Sequence, residues 1–217
     1  MSGGSAPVPV WDRPVRVVHW LVALLIPVSW YTAENDIMDW HYRSGIAILG
    51  LVLFRLIWGV IGSSTARFVG FVKGPRGVAD YLRGRSGHVL GHNPLGALSV
   101  VGLLGMLSLQ VGLGLFASDE DGLNSGPLSH LVSQETAEAA KDWHELGWKV
   151  LLVLIVLHVA AILFYLAVKR RNLVRPMITG VTEAPAGTVG MHGGGAVRFL
   201  VAVGVAFAVM WWVAAQA

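Results

Sequence analysis

The sequence predicts an all-α integral membrane protein, in which four transmembrane helices form one bundle and a fifth transmembrane helix follows at the C-terminal end. Composition is the first observation, because 54% of the 217 residues are hydrophobic and only 13% are charged. The mean hydropathy of +0.62 is also far from that of a soluble domain. The second observation is a set of five apolar stretches close to the roughly 20 residues that cross a bilayer. They are residues 17–31, 44–62, 94–117, 146–168 and 196–215.

The first stretch is short and contains Pro27, yet it does not resemble a cleaved signal peptide. Trp30, Tyr31 and Glu34 stand where a signal peptide has small residues before its cleavage site. We therefore expect this span to be retained. The chain has no cysteine, which excludes disulfides and thiolate metal ligands.

The distribution of Lys and Arg predicts the orientation of the spans. Basic residues precede the first span, fill the connection between the second and third spans, and follow the fourth span as "KRRNLVRP". The connections "AENDIMD" and "SDEDGLNSGPLSHLVSQETAEAAKD" are acidic and contain one basic residue, Lys141. The positive-inside rule then places the N-terminus in the cytoplasm and the C-terminus outside. Because the basic residues are juxtamembrane, they are expected to meet anionic lipid, and no nucleic-acid partner is expected.

A glycine-rich segment, "APAGTVGMHGGGA", separates the fifth span from the others. Such a composition is typical of a flexible linker. We therefore predict a four-helix bundle over residues 1–175, a flexible linker over 176–195 and a C-terminal transmembrane helix over 196–217. The last helix is rich in small residues, so it could form an oligomer by packing on a partner helix or could anchor on the flank of the bundle.

Four of the eight histidines lie in or at the ends of the spans. His144 and His158 are fourteen residues apart, which on an α-helix is roughly 21 Å and leaves the side chains about 40° apart in azimuth. They share one face of the fourth span, with His144 at the outer depth and His158 at the inner depth. His41, at the outer start of the second span, can meet His144. His19, near the inner end of the first span, can meet His158. The remaining histidines fall in connecting segments and are expected to be solvated or interfacial: His88, His92, His130 and His192.

Paired histidines inside a bilayer predict a cofactor. Ionisable groups there are costly and usually functional, although a single buried histidine can also hydrogen-bond across helices. Two imidazoles that face each other across a bundle suit the axial positions of a b-type haem, whose iron is then suited to electron transfer. Zinc would require four ligands at each site. The sequence therefore predicts two haem b groups, one held by His19 with His158 and one by His41 with His144.

Several motifs in order give a resemblance to a known family: "VWDRPVRVVHW", "LVLFRLIWGVIG", "GHNPLGAL", the His144 and His158 pair, and "LVRPMITG". Over roughly residues 10–180 the chain resembles the bacterial cytochrome b561 family, especially the di-haem cytochrome subunits of nickel-iron hydrogenases and of respiratory formate dehydrogenase. The resemblance implies the same two histidine pairs, with His19 and His158 on the inner haem. The fifth span and the short first connection before His41 depart from the family pattern.

Further polar residues are candidates for cofactor binding. Arg55, fourteen residues after His41, shares its helical face, so its guanidinium could pair with a propionate of the inner haem or could snorkel to headgroups. Arg16, one turn before His19, has the same possibility, and Arg43 and Lys149 could neutralise the outer propionates. In the formate dehydrogenase relatives the region around Asn93 borders a quinone site, so the resemblance implies a quinone contact there. The alternative for Asn93 is a helix N-cap ahead of a proline.

The resemblance implies an electron-transfer subunit of a respiratory oxidoreductase. It would carry electrons across the bacterial inner membrane between the quinone pool and a periplasmic redox partner, namely a hydrogenase, another dehydrogenase or a cytochrome c. A self-contained enzyme that oxidises superoxide and reduces quinone is an alternative. A non-redox transporter or scaffold, whose histidines relay protons, is another.

Overall fold

The computed structural model describes residues 5–85 and 90–216, so His88 lies outside the described residues. In chain order the elements are β1 (Ser5–Pro9), α1 (Arg13–Glu34), α2 (Met38–Ile61), α3 (Phe68–Phe71), α4 (Pro75–Leu82), α5 (Pro94–Phe116), a 3₁₀ turn (Ser129–Leu131), α6 (Gln134–Ala167), α7 (Val174–Thr179), β2 (Val181–Pro185) and α8 (Ala196–Ala214). Within the described residues, α1, α2, α5, α6 and α8 are long and apolar enough to cross a membrane. They coincide with the five predicted spans.

Helix α6 is longer than the fourth apolar stretch, since it begins at Gln134 instead of residue 146. The added turns, "QETAEAAKDWHE", consist mostly of good helix formers. Ser133 precedes them, and its hydroxyl accepts a hydrogen bond from the backbone N–H of Thr136 at 3.3 Å. Ala137 and Ala140 bury one side of this extension. Hydropathy marks the part of a helix that is apolar, whereas capping and helix propensity decide where the helix begins.

The described chain forms two compact units. The first unit comprises the described residues of Met1–Val18, Arg55–Gly102 and Val156–Leu200. The second unit comprises the described residues of His19–Phe54, Leu103–Ile155 and Val201–Ala217.

A four-helix core lies in the second unit. Its fully buried residues are Ile48 and Val52 from α2, Leu107 from α5 and Leu151 from α6. Residues of α1, among them Val22, pack against this cluster, so four helices contribute to one apolar core. Lipid tails are as apolar as these side chains, so van der Waals packing and not the hydrophobic effect holds such helices together.

The fifth helix packs on α2 within the same unit. Val213 of α8 is buried in a cluster with Leu49 of α2 and with Leu128 of the connection that follows α5. A Cβ atom on Gly50 would lie 2.8 Å from Sδ of Met210, so the glycine admits this methionine side chain. One face of α8 is therefore covered by the bundle, and the prediction of an oligomer through this helix remains a prediction.

The first unit contains a two-stranded antiparallel sheet, in which β1 pairs with β2 so that Ser5 lies opposite Pro185. Farther along, the backbone N–H of Met191 donates to the carbonyl of Pro9 at 2.8 Å, and the N–H of Ser64 donates to the carbonyl of His192 at 2.8 Å. Part of the segment for which the sequence predicts a flexible linker thus has regular structure. Its partner strand is about 175 residues away in sequence, so local composition contains no sign of the pairing. The division into domains remains a prediction.

Asp12 joins the start of α1 to the end of α2 in the first unit. Its Oδ1 accepts a hydrogen bond from the backbone N–H of Val15 at 2.8 Å, which caps α1. Its Oδ2 accepts hydrogen bonds from the indole of Trp58 at 2.8 Å and from the hydroxyl of Ser63. The Asp in "VWDRPVRVVHW" therefore both caps a helix and connects two of them.

Candidate functional site

The structure brings His41 and His144 together in the second unit. Their ring centres are 6.1 Å apart and their ring planes are at 88°. Bonds from imidazole nitrogen to a first-row metal are about 2 Å long, so two imidazoles on one metal have ring centres roughly 6 Å apart. The spacing of this pair therefore fits two axial ligands of one iron.

Backbone carbonyls determine which nitrogen of each ring carries the proton. Nδ1 of His41 lies 2.9 Å from the carbonyl oxygen of Ser29, and Nδ1 of His144 lies 2.9 Å from that of Gln110. A carbonyl oxygen can only accept, so each Nδ1 donates and each Nε2 keeps its lone pair. This is the tautomer that a metal-binding histidine adopts.

Gly114 makes room for the ring of His144, and Gly45 leaves an open position on the helix that carries His41. A Cβ atom on Gly114 of α5 would lie 2.8 Å from Cε1 of His144, so the imidazole lies directly on the backbone of α5. Gly45 is one turn after His41 on α2, and a Cβ atom there would have nothing within 4 Å. The residues present thus fit a haem: His41 and His144, paired and in the ligand tautomer, would hold it, and it would supply a one-electron redox centre.

The other two predicted ligands lie in different units, His158 in the first and His19 in the second. Nδ1 of His158 lies 3.3 Å from the hydroxyl of Ser99 on α5. The ring of His19 makes an edge contact with Trp20, with the ring centres 5.0 Å apart. The pairing of His19 with His158 remains a prediction.

Arg55 is a buried cation, since only 8% of it is exposed. Its guanidinium carbon lies 5.0 Å from the ring centre of Phe68, and its Nη1 is buried with no hydrogen-bond partner among the described residues. A buried charge with a missing acceptor is costly unless an anion completes its contacts. Snorkelling, the alternative for this residue, would place the guanidinium at the surface, and its burial does not fit that alternative.

Arg16 has a defined backbone contact, because its Nη1 donates to the carbonyl oxygen of Ile178 near the C-terminal end of α7. Its Nε is buried and has no hydrogen-bond partner in the part of the chain that the structure describes. Gly180, with φ of 84°, ends α7 and lies against the guanidinium. Arg16 therefore has one structural role and retains one donor for a further contact.

Asn93 takes part in two sets of hydrogen bonds. Its Oδ1 accepts from the backbone N–H of Gly96 at 2.7 Å, which caps α5. Its Nδ2 donates to the hydroxyl of Tyr165 at 3.0 Å, and that hydroxyl is 2.8 Å from the hydroxyl of Tyr81. Burial, together with this hydrogen bond to Tyr165, raises the pKa of Tyr81 to about 12, so Tyr81 stays protonated. Asn93, Tyr165 and Tyr81 form what we call the tyrosine cluster of the first unit.

Sequence reasoning named Asn93 but missed Gln110, Tyr81 and Tyr165. Gln110 is the one amide in α5, and polar residues inside a span are expected to be functional. Tyr165 follows His158 by seven residues, which places both on one face of α6. The position of Gln110 inside α5 and the spacing of Tyr165 from His158 were therefore visible in the sequence, whereas the contacts of these side chains were not.

The connecting-segment histidines differ from one another. His130 and His192 are exposed, as expected. His92 is half-buried, with its ring 4.5 Å from that of Trp11 and 4.6 Å from that of Phe71. The expectation for His92 was a solvated or interfacial side chain, and the structure adds that aromatic residues distant in sequence lie on it.

A membrane helix bundle whose interior holds paired imidazoles has the architecture of the membrane b-type cytochromes. Comparison with known families gives the particular assignment. The family model described as prokaryotic cytochrome b561 matches residues 10–180, and the chain belongs to this family. The predicted all-α membrane fold and the predicted family are thereby confirmed, and the protein is a multi-pass membrane cytochrome that binds haem b and takes part in electron transfer.

Three similar proteins carry the name probable Ni/Fe-hydrogenase B-type cytochrome subunit. The one from Bradyrhizobium diazoefficiens is 22% identical, with 82% of this chain and 86% of the relative covered. Those from Azotobacter chroococcum and Azotobacter vinelandii are each 25% identical, with 79% of this chain and 86% of the relative covered. No solved structure gives a significant match.

Proposed function

We propose that the protein carries electrons through two haem b groups across the bacterial inner membrane, between a periplasmic redox protein and the quinone pool. The observation that carries this proposal is the pair of His41 and His144, whose ring centres are 6.1 Å apart. His158, with its Nδ1 next to the hydroxyl of Ser99, and His19 are the proposed ligands of the second haem. Each haem, when bound, supplies a centre that accepts and releases one electron.

The apolar core would exclude water from the electron path between the two proposed haems. Leu151 is seven residues from both His144 and His158, so it lies midway between them along α6. It packs with Ile48, Val52 and Leu107 in the buried cluster. Such a shell excludes water and controls the polarity around a redox centre.

Basic side chains are proposed to neutralise the haem propionates. Arg55, with its buried and unpartnered Nη1, is proposed for the inner haem. Arg16, whose Nε is also without a partner, is proposed to assist it. Arg43 and Lys149 are exposed near His41 and His144 in sequence and are proposed for the outer haem.

The tyrosine cluster is proposed to contact quinone. Reduction of a quinone to a quinol consumes two electrons and two protons, so the site needs groups that hold protons. Tyr165 and Tyr81 provide two hydroxyls 2.8 Å apart, and Asn93 orients one of them through its amide. Tyr165 lies roughly 10 Å beyond His158 along α6.

The charges of the two units support the proposed orientation and partner. The first unit has thirteen basic and three acidic residues, and the second has three basic and ten acidic residues. By the positive-inside rule the basic connections face the cytoplasm, with the N-terminus inside and the C-terminus in the periplasm. The acidic second unit would favour a partner with a basic docking face. Since similar proteins are named as hydrogenase subunits, a hydrogenase is the proposed partner, with another dehydrogenase or a cytochrome c as alternatives.

The test is a haem count on the purified full chain, with a reduced-minus-oxidised spectrum and anaerobic reduction by a quinol. We expect two b haems per chain, both with the spectrum of two axial histidines, and reduction of at least one by quinol. One haem per chain would refute the two-haem proposal. A colourless protein would instead support a transporter or scaffold.

Arg43 and Lys149 also bear on a second function, oxidation of superoxide, since exposed cations attract that anion. Ten acidic residues against three basic ones in the second unit oppose such attraction, which is why we prefer the conduit. Superoxide supplied to the purified chain with quinone distinguishes the two functions. A conduit without its partner forms little quinol, whereas a self-contained enzyme forms quinol at catalytic rates.

A further inference from the structure

Gln110 and His144 are joined by two hydrogen bonds that run in opposite directions between α5 and α6. Nε2 of Gln110 donates to the carbonyl oxygen of His144 at 2.9 Å. Nδ1 of His144 donates to the carbonyl oxygen of Gln110 at 2.9 Å. Each residue therefore uses its side chain to bind the backbone of the other, and this reciprocal pair couples the position of one helix to that of the other.

The amide of Gln110 is deeply buried, with 8% of the residue exposed. Within residues 5–85 and 90–216, its buried Oε1 has no hydrogen-bond partner. Burying an unsatisfied amide oxygen is unfavourable, and an apolar side chain of similar size would avoid that cost. The side chain is thus not explained by packing alone, and its one observed polar contact is with the backbone of His144.

Two glycines on the facing helices accommodate the reciprocal pair. A Cβ atom on Gly147 of α6 would collide with Oε1 of Gln110, and a Cβ atom on Gly114 of α5 would lie 2.8 Å from Cε1 of His144. Gly147 therefore makes room for the amide, and Gly114 makes room for the imidazole. Substitution at either glycine displaces a different half of the pair.

We propose that Gln110 is a positioning residue for His144, which holds the imidazole at its carbonyl acceptor and so sets the redox potential of the haem that His144 binds. The proposal rests on the proposed function of the His41 and His144 pair. A hydrogen bond from Nδ1 makes the ligand nitrogen of a histidine a stronger donor, which favours the oxidised metal. When the amide is removed, the two helices are held less firmly at this point, the bond from Nδ1 weakens, and the potential rises.

The experiment is a potentiometric titration of the full chain in which Gln110→Met is compared with the unchanged protein. Methionine keeps the volume and removes the amide. We expect two haems in the variant and a higher potential for one of them, while the other is unchanged. Loss of a hydrogen bond to a metal ligand typically changes the affinity for the metal by about tenfold or more. If the affinities for oxidised and reduced haem iron come to differ by a further tenfold, the redox potential shifts by about 59 mV for one electron.

Ser108→Ala is the matched control, because Ser108 is on the same helix and donates only to Leu104 of that helix, at 2.7 Å. Its two potentials should equal those of the unchanged protein. Gly147→Ala is the second variant, since it displaces the amide while Gln110 is retained. It should raise the same potential, and the double variant with Gln110→Met should give no further rise.

Two results would overturn the proposal: unchanged potentials in Gln110→Met with both haems present, or an equal shift in Ser108→Ala. If Gln110→Met loses a haem, Gly147→Ala decides, and unchanged potentials there refute the role of the amide. Failure of the proposed function looks different, because the unchanged protein would then bind fewer than two haems.

Discussion

At the scale of single residues, backbone carbonyl oxygens set the tautomers of two histidines, and the sequence does not show which carbonyls these are. The carbonyl oxygens of Ser29 and Gln110 hold the rings of His41 and His144 in the tautomer that metal-binding histidines adopt. The spacing of fourteen residues between His144 and His158 was enough to predict that these two share one helical face. The carbonyl acceptors could not be predicted, because every residue has a carbonyl and only packing decides which one meets a ring.

Separate loss of the two proposed haems is expected from substitution of single proposed ligands. His144→Ala should remove one haem and His158→Ala the other, because the two histidines are roughly 21 Å apart along α6 and are proposed to hold different haems. The measurement is haem per chain with low-temperature spectra of the reduced protein. His192→Ala, at an exposed connecting position, is the control and should keep both haems. Loss of both haems in each ligand variant would show that the two sites are not independent.

At the scale of elements, α5 is the helix whose role was least visible beforehand. From the sequence, its four inner glycines could make room either for a cofactor or for a neighbouring helix: Gly102, Gly105, Gly112 and Gly114. The structure distinguishes two of these glycines. Gly114 lies against the imidazole of His144, whereas a Cβ atom added at Gly112 would face open space. Periodicity places glycines on faces of a helix, but only the neighbours show which face needs them.

Because Gly114 lies against the imidazole and Gly112 faces open space, alanine substitutions at these two positions should affect haem binding differently. Gly114→Ala would push a methyl group to 2.8 Å from Cε1 of His144. Overpacking of that kind costs about 1–3 kcal/mol, which corresponds to roughly tenfold or more in haem affinity. Haem titration of the purified variant should therefore show weaker retention of one haem. Gly112→Ala should retain both haems as the unchanged protein does, and an equal effect of the two substitutions would refute the contact with His144.

At the scale of the whole molecule, charge is divided unevenly between the two units. Ten of the thirteen acidic residues belong to the second unit and thirteen of the sixteen basic residues to the first. This asymmetry is readable from the sequence, because the positive-inside rule depends on composition of the connections and not on their conformation. It underlies the proposed orientation.

The orientation can be measured by cysteine labelling, since the chain has no cysteine of its own. Glu120→Cys and Arg76→Cys place single thiols at exposed positions in an acidic and a basic connection. A membrane-impermeant maleimide that reaches the periplasm should label the first variant in intact cells and the second only after lysis. The cysteine-free chain is the control for background labelling. The reverse pattern would contradict the proposed orientation.

The sequence by itself determined that the protein lies in a membrane, how many spans it has, and that His144 and His158 share one face. These depend on transfer of apolar side chains into lipid and on the fixed geometry of the α-helix, both of which are local properties. Only the tertiary structure decided the reciprocal pair of Gln110 and His144, the pairing of β1 with β2 and the contacts among Asn93, Tyr165 and Tyr81. These depend on which distant side chains and carbonyls meet in a packed interior, and no local pattern specifies that.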